Sequence, residues 1–324
     1  MSEILIRPLK HGEEGEWNEL CYLSYKEYAE SRGMPIFADR NCYGHLYRAD
    51  HRMKPENTRL LFCDGVLASS VTVYAWPVKM AGKEVIAGLV GSVATRPDYR
   101  KRGYVRMLME DAKYFMHNIG IAVSFLYGSE KVYGSSGYAP FRDYTVFTGT
   151  SMGRVPGSIS VRPLDLGRDL KKVINIYDSW NADITGPVVR VEDDWRRRVL
   201  GNRYCIGFDR FKVVERKGEI IGYGQVLDGL KISEFGAKDE DCAPDVLAAL
   251  SSTEKGDFEV CFGNRKTELA LEERAAGLVR GKSDYGLWLI VDGSQLGLSG
   301  KASNSELFEF LKRENFTYYK ADNF

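Results

Sequence analysis

The residues best suited to chemistry lie between positions 91 and 108, which read GSVATRPDYRKRGYVRML. Four basic side chains, Arg100, Lys101, Arg102 and Arg106, surround Gly103 where a β-like run passes directly into a helical one. A helix start offers unpaired backbone N–H groups and the positive end of the helix dipole, which together favour a diphosphate. Gly103, lacking a Cβ, lets the backbone approach such a group. A solvated basic turn has the same composition; placement between a strand and a helix favours the anion site.

The elements that must hold this loop follow from periodicity. Residues 15–31 carry Trp17, Leu20, Cys21, Leu23, Ser24 and Tyr28 at helical spacing, ended by Gly33 and Pro35. Runs 58–63 and 66–78 are rich in β-formers and are separated by Asp64-Gly65, a hairpin signal; Ala81-Gly82 precedes the strand 85–95. A helix over 105–117, a strand over 121–127 and a last strand at Val146–Thr148 complete a β-α-(α)-β-β-β-α-β-α-β order. That order predicts an α/β fold with a mixed sheet and helices on both faces.

The segment ILIRPL at Ile4 returns as ISVRPL at Ile159, just after the Gly/Pro/Ser stretch MGRVPGSIS. A second copy of one fold is expected, giving domains 1–150 and 151–324. The second half reads as a strand 159–164, helices 169–180 and 191–200, and a hairpin 211–226 turning at Lys217-Gly218. Strands 230–235, 258–262 and 286–291 and helices 244–250 and 305–313, the last capped by Asn304, complete it. Its strand-to-helix junction, LKISEFGAKDEDCAPDVL, places Asp239, Glu240, Asp241 and Asp245 where the first half has basic residues. Negative charge there repels a diphosphate, so the second domain is expected to lack cofactor binding.

The run VATRPDYRKRGYV resembles the acetyl-CoA loop of the GNAT superfamily of N-acetyltransferases, R/Q-x-x-G-x-G/A, with Arg100 and Gly103 in register. Val105 stands where the broad family has Gly or Ala. The enhanced-intracellular-survival branch of multi-domain GNAT enzymes shares that departure, in an R-R-R-G-aliphatic-x-R run to which residues 100–106 are similar. Downstream, SEKVYGSSGYAP at 129–140 resembles that branch's S-E-x-x-[IV]-Y-G-x-x-G-Y-x-P element, one residue shorter between Glu130 and Val132.

The resemblance implies tandem GNAT-like domains, the second degenerate, without the branch's sterol-carrier-like domain. It implies acetyl-CoA as the cofactor, with CoA as product. Arg100, Lys101, Arg102, Gly103, Tyr104, Val105 and Arg106 would face the diphosphate, and the backbone of Val93, Ala94 and Thr95 would pair with pantetheine as another strand does. Ser129 matches a position near the cofactor, with a capping serine as the alternative. Tyr133 matches the general acid, with a core tyrosine as the alternative; Tyr138 is assigned to structure. The terminal carboxylate, here that of Phe324, matches the general base if the tail reaches the first domain, the alternative being a tail packed on its own domain.

Residues 22–50 hold Tyr22, Tyr25, Tyr28, Phe37, Tyr43 and Tyr47 among Glu27, Glu30, Asp39 and Asp50, the region that walls the acceptor pocket in GNAT folds. Aromatic faces with carboxylates suit a cationic amine, although an aromatic core stripe explains most of them equally. The acceptor is thus expected to be an amine of a small molecule or peptide. A non-catalytic acyl-CoA-binding regulator and a protein-lysine or N-terminal acetyltransferase remain as alternatives.

Composition bounds these readings. The 324 residues carry 45 Lys+Arg and 45 Asp+Glu, so no global field holds a polyanion, and nucleic acid is a poor candidate partner. Charge at Glu3 and Arg7 interrupts the N-terminus and no run approaches the ~20 apolar residues of a membrane span, so a soluble, cytoplasmic chain without a membrane partner is expected. Self-association is left open. Cysteines at 21, 42, 63, 205, 242 and 261 are scattered, which disfavours disulfides and zinc; none of His11, His45, His51 and His117 has a catalytic setting, and ordinary surface or core residues are favoured over a metal cluster of His45, His51 and Cys42.

Overall fold

The computed structural model describes residues 2–34, 37–205, 207–314, 316–319 and 322. In chain order the elements are β1 (Ile4–Pro8), α1 (Glu14–Ser31), α2 (Cys42–Ala49), β2 (Thr58–Cys63), β3 (Val66–Met80), β4 (Lys83–Thr95), α3 (Tyr104–Asn118), β5 (Ile121–Leu126), α4 (Glu130–Tyr133) and β6 (Ala139–Pro140). Then come β7 (Tyr144–Gly149), β8 (Ile159–Pro163), α5 (Leu170–Trp180), β9 (Phe211–Arg216), β10 (Glu219–Leu227), β11 (Lys231–Ala237), α6 (Ala243–Ser251), β12 (Phe258–Val260), α7 (Arg265–Arg274), β13 (Val279–Ser283), β14 (Leu287–Ile290) and α8 (Asn304–Arg313). Where the sequence suggests a helix over 191–200, the chain makes a single π-helical stretch, Asp194–Val199. Among the described residues no helix is long and apolar enough to cross a membrane.

Two mixed sheets of seven strands each are formed, in the orders β1-β2-β3-β4-β5-β14-β6 and β13-β7-β12-β11-β10-β9-β8. In each, one parallel pair follows a run of antiparallel neighbours: β4 with β5 in the first and β11 with β12 in the second. The expected closing strand at Val146–Thr148 is β7, and it lies in the second sheet; the expected second-half strand 286–291 is β14, and it lies in the first. The cause is edge coverage. All six β5 residues are buried, so β5 needs a partner on its far edge, and two-residue β6 is too short to supply one. β14 does so, pairing Leu287 with Leu126 and stacking Trp288 on Phe125 at 4.7 Å; β7 plays the same part beside β12.

The compact units therefore do not follow a single cut after residue 150. One comprises Met1–Pro77, Val85–Phe141 and Gly286–Leu307; the other comprises Val78–Glu84, Arg142–Tyr285 and Phe308–Phe324.

The internal repeat is physical. In ILIRPL, Arg7 on β1 grips Glu13 at the start of α1 through two bonds of 2.7 and 2.8 Å. In ISVRPL, Arg162 on β8 grips Asp169 at the start of α5 through bonds of 2.5 and 2.9 Å. Each forked guanidinium-carboxylate pair ties a first strand to the helix after it. The three expected hairpin turns, Asp64-Gly65, Ala81-Gly82 and Lys217-Gly218, have both central residues at positive φ, the geometry that suits strand twist.

The cap of α8 differs from expectation. Ser303 and Glu306 form a reciprocal capping box, with the Ser303 N–H donating to the carboxylate at 2.8 Å and the Glu306 N–H donating to Oγ at 3.3 Å. The Asn304 side chain instead accepts from the Ile290 N–H and donates to the Gly137 carbonyl. All six cysteines are buried free thiols.

Candidate functional site

Strand β4 outruns its parallel neighbour. The register with β5 runs from Ile86↔Ile121 to Leu89↔Phe125; β5 ends at Leu126, whereas β4 continues to Thr95. Within that overhang Ser92 adopts φ +47°, a left-handed residue inside a strand, which re-aims the backbone beyond it. Past Ser92, the Ala94 carbonyl accepts from Ser69 Oγ at 2.8 Å and the Arg96 N–H donates to the Ala68 carbonyl, both on the β3 side. Ala94 therefore does not offer its backbone away from β3 as expected. The polar groups of Val93 and Thr95 point the other way, as strand alternation requires.

The loop after β4 is built by two left-handed residues, Lys101 at φ +62° and Gly103 at φ +80°. Gly103 caps α3, and the first intrahelical bond is donated by the Met107 N–H to its carbonyl, so the N–H groups of residues 104–106 precede the helical ladder. A Cβ built at Gly103 meets nothing within 4 Å, so its backbone angle, not crowding, is what demands glycine. Arg100, Lys101, Arg102 and Arg106 are all exposed. Arg102 lies over the Tyr99 ring at 4.9 Å and donates to the Asp98 carbonyl. The side chains of Tyr104 and Val105 turn inward: Tyr104 donates to Cys63 Sγ at 3.1 Å, and Val105 packs on the first unit's core. Only their backbone N–H groups are left to serve an anion, because the helix face fixed by Gly103 sends these positions to the core.

Helix α1 reaches this strand and loop. The Tyr25 hydroxyl donates to the Val93 carbonyl at 2.6 Å, the Thr95 N–H donates to Ser24 Oγ at 3.1 Å, and Arg100 donates to the Ser24 carbonyl at 2.9 Å. Tyr25 also stacks on Tyr43 of α2, with ring centroids 5.2 Å apart. Burial, with Tyr133, Cys21 and Tyr74 as neighbours, pushes the Tyr25 phenol well above its ordinary range. Sequence reading offered Tyr25 only as one of several aromatic residues; its bond to a residue 68 positions away has no local signature. Of the other aromatics, Tyr43 and Tyr47 are buried and Tyr28 is exposed. Glu27 and Glu30 are exposed. Asp50 is buried and accepts from Trp76 Nε1 at 2.5 Å.

Tyr133 ends the short helix α4 and is half-buried against the same core as Val93 and Val105. Its hydroxyl has no hydrogen-bond partner among the described residues, and burial pushes its pKa up to about 12. Gly128, which sequence reading passed over, makes room for it: a Cβ there would run into the Tyr133 ring. Ser129 is exposed and makes no side-chain cap; its carbonyl accepts from the N–H groups of Val132 and Tyr133. Tyr138 is structural as expected, sharing a 2.7 Å hydrogen bond with Ser124, which donates to the Gly88 carbonyl.

In the second unit the matching junction satisfies itself. Asp239 accepts from the Cys242 N–H at 2.8 Å beside the start of α6, and the hydrogen bond with the Cys242 thiol holds its carboxyl below the usual range. Asp245, in the first turn, pairs with Arg216 and Arg274. Carboxylates thus occupy the helix N-terminus that an anion would need. Residues 316–319 and 322 are buried in this unit, where the Thr317 N–H donates to the Thr185 carbonyl and a Cβ on Gly186 would strike the Thr317 carbonyl. Phe324 itself lies outside the described residues.

Residues 5–141 match the family described as Acetyltransferase (GNAT) domain. No curated protein matches the chain. Among solved structures, the chain is similar in fold to a probable N-acyltransferase of Enterococcus faecalis, with TM-score 0.65 and 16% identity over 90% of this chain and 73% of that one. A GCN5-related N-acetyltransferase of Anabaena variabilis gives TM-score 0.64 and 14% identity, with the same coverages of 90% and 73%. Eis1 of Mycobacterium abscessus gives TM-score 0.59 and 17% identity, covering 90% of this chain and 74% of its own. An overhanging β4, a basic loop turning at Gly103 into α3 and a family match over the same residues converge: residues 5–141 are similar to a GNAT acetyltransferase domain, within a fold shared by GNAT N-acyltransferases.

Proposed function

We propose that this protein transfers an acetyl group from acetyl-CoA to a primary amine of a small molecule or peptide, by direct attack within a ternary complex. The observation that carries this reading is the continuous path from the β4 overhang through the left-handed Lys101 and Gly103 into α3. It gathers strand backbone that extends beyond β5, four exposed cations and a helix N-terminus on one segment. Those groups fit a diphosphate joined to an amide-bearing arm. Acetyl-CoA supplies the activated thioester. The amine nitrogen forms the C–N bond as the C–S bond breaks, the thiolate takes the Tyr133 proton, and the amine's own proton passes to a base.

Calorimetry with CoA tests the loop. Gly103→Trp places a side chain at φ +80°, and Arg100→Glu reverses a charge; both are expected to abolish measurable CoA binding with the fold intact by circular dichroism. Unchanged affinity in both removes the loop from the site.

For the base, the reading leaves a water relay or an acidic side chain, with exposed Glu27 of α1 the first to test. Glu27→Gln is expected to slow acetylation, and an unchanged rate leaves the water relay.

A further inference from the structure

We propose that Ser24 and Tyr25 form a latch on the acyl-CoA strand, which cofactor binding must open. The proposal rests on the acyl-CoA reading above and concerns what the site must undo to accept its cofactor.

Two consecutive residues of α1 make three bonds to the strand and loop assigned to the cofactor. Ser24 Oγ takes the Thr95 N–H, the Tyr25 hydroxyl takes the Val93 carbonyl, and the Ser24 carbonyl holds Arg100. Val93 and Thr95 are the positions whose polar groups face away from β3, hence the ones a pantetheine arm must pair with. A backbone N–H makes one good hydrogen bond at a time. Thr95 therefore cannot serve both Ser24 and a pantetheine amide, and the Tyr25 hydroxyl already occupies one of the two lone pairs of the Val93 carbonyl.

Opening the latch moves more than two side chains. Tyr25 is stacked on Tyr43, so its release reaches α2, and Arg100 carries the same signal from the diphosphate end. These helices carry the aromatic side chains read as the acceptor wall. Acyl-CoA thus shapes the surface that the amine meets. Ser24 and Tyr25 are positioning residues here; neither takes part in bond making.

Calorimetric titration of the full-length protein with CoA provides the test. Ser24→Ala removes a bond from the free state that the bound state does not have, so CoA should bind about 3- to 10-fold tighter, the worth of one neutral hydrogen bond. Tyr25→Phe should shift affinity in the same direction. Thermal melts supply a second readout that a merely structural role would not move: Ser24→Ala should melt below wild type when free, and the gap should close at saturating CoA. Affinity unchanged or weakened in both variants, with the melting gap persisting in CoA, overturns the latch while leaving the acyl-CoA reading in place. A wild-type protein that takes up no CoA overturns that reading and the latch with it.

Discussion

Replacing Tyr133 by phenylalanine is expected to lower turnover by about 10²- to 10⁴-fold, the range for losing acid-base assistance, while leaving CoA affinity unchanged. The substitution deletes one oxygen from a half-buried ring whose hydroxyl has no partner among the described residues, so the fold gives up no hydrogen bond. Burial holds the phenol at a pKa of about 12, which keeps it protonated across the neutral and mildly alkaline range. Burial raises the proton affinity of a departing thiolate as well, which offsets part of the cost of taking a proton from so weak an acid. The sign of the pH dependence follows: the acid is lost only as pH rises toward the raised pKa, so the alkaline side of the wild-type kcat profile should stay flat well past pH 9. Stopped-assay kinetics of both proteins, with CoA binding measured in parallel, provide the check. Equal turnover means that the proton comes from elsewhere, most simply water.

What the sequence made legible was local. The basic loop around Gly103, the hairpins at Asp64-Gly65, Ala81-Gly82 and Lys217-Gly218, and the repeated R-P that became Arg7–Glu13 and Arg162–Asp169 depend on residues close in the chain. The capping box at Ser303 and Glu306 is equally local, but Asn304, an N-cap residue type one position later, masks it in the sequence. Long-range pairing was not legible. The exchange of β7 and β14 between the sheets depends on which edge each strand covers, and their compositions fit either sheet. The latch from Ser24 and Tyr25 to β4 joins residues about 70 apart. Left-handed Ser92 and Lys101 carry no glycine to announce them, since the surrounding strand and helix impose the angle. The family resemblance points to a candidate site where local pattern gives only a basic turn, and the structure divides its residues. Arg100 and Gly103 stand where an anion can meet them, whereas the Tyr104 and Val105 side chains belong to the core.

Arg190→Leu is expected to destabilise the second unit by about 3–5 kcal/mol, because it takes from buried Glu234 its guanidinium partner and from buried Asp322 one of two. Arg190 is buried, donates to Glu234 through two 2.8 Å bonds and to Asp322 at 2.7 and 2.9 Å, and lies over the rings of Tyr177 and Trp195 at 4.5 and 4.6 Å. Tyr223 adds a 2.9 Å hydrogen bond to Glu234, and Arg198 donates to Asp322 at 3.0 Å. Burial raises the Glu234 pKa above its ordinary value even beside Arg190, which it shares with Asp322. The folded chain thus holds the Glu234 proton more tightly than the unfolded chain does, so this group's contribution to stability falls as pH rises from the usual carboxylate range through the folded value. Removing Arg190 pushes the folded value higher and widens that window. The deficit of Arg190→Leu should therefore be larger at pH 8 than at pH 5, as read from urea unfolding of both proteins. Adding Glu234→Gln to the variant removes one stranded charge and should recover part of the loss at pH 8. A deficit independent of pH, with no recovery in the double variant, would mean that Arg190 stabilises the unit by filling space between Tyr177 and Trp195, and that its charge is incidental.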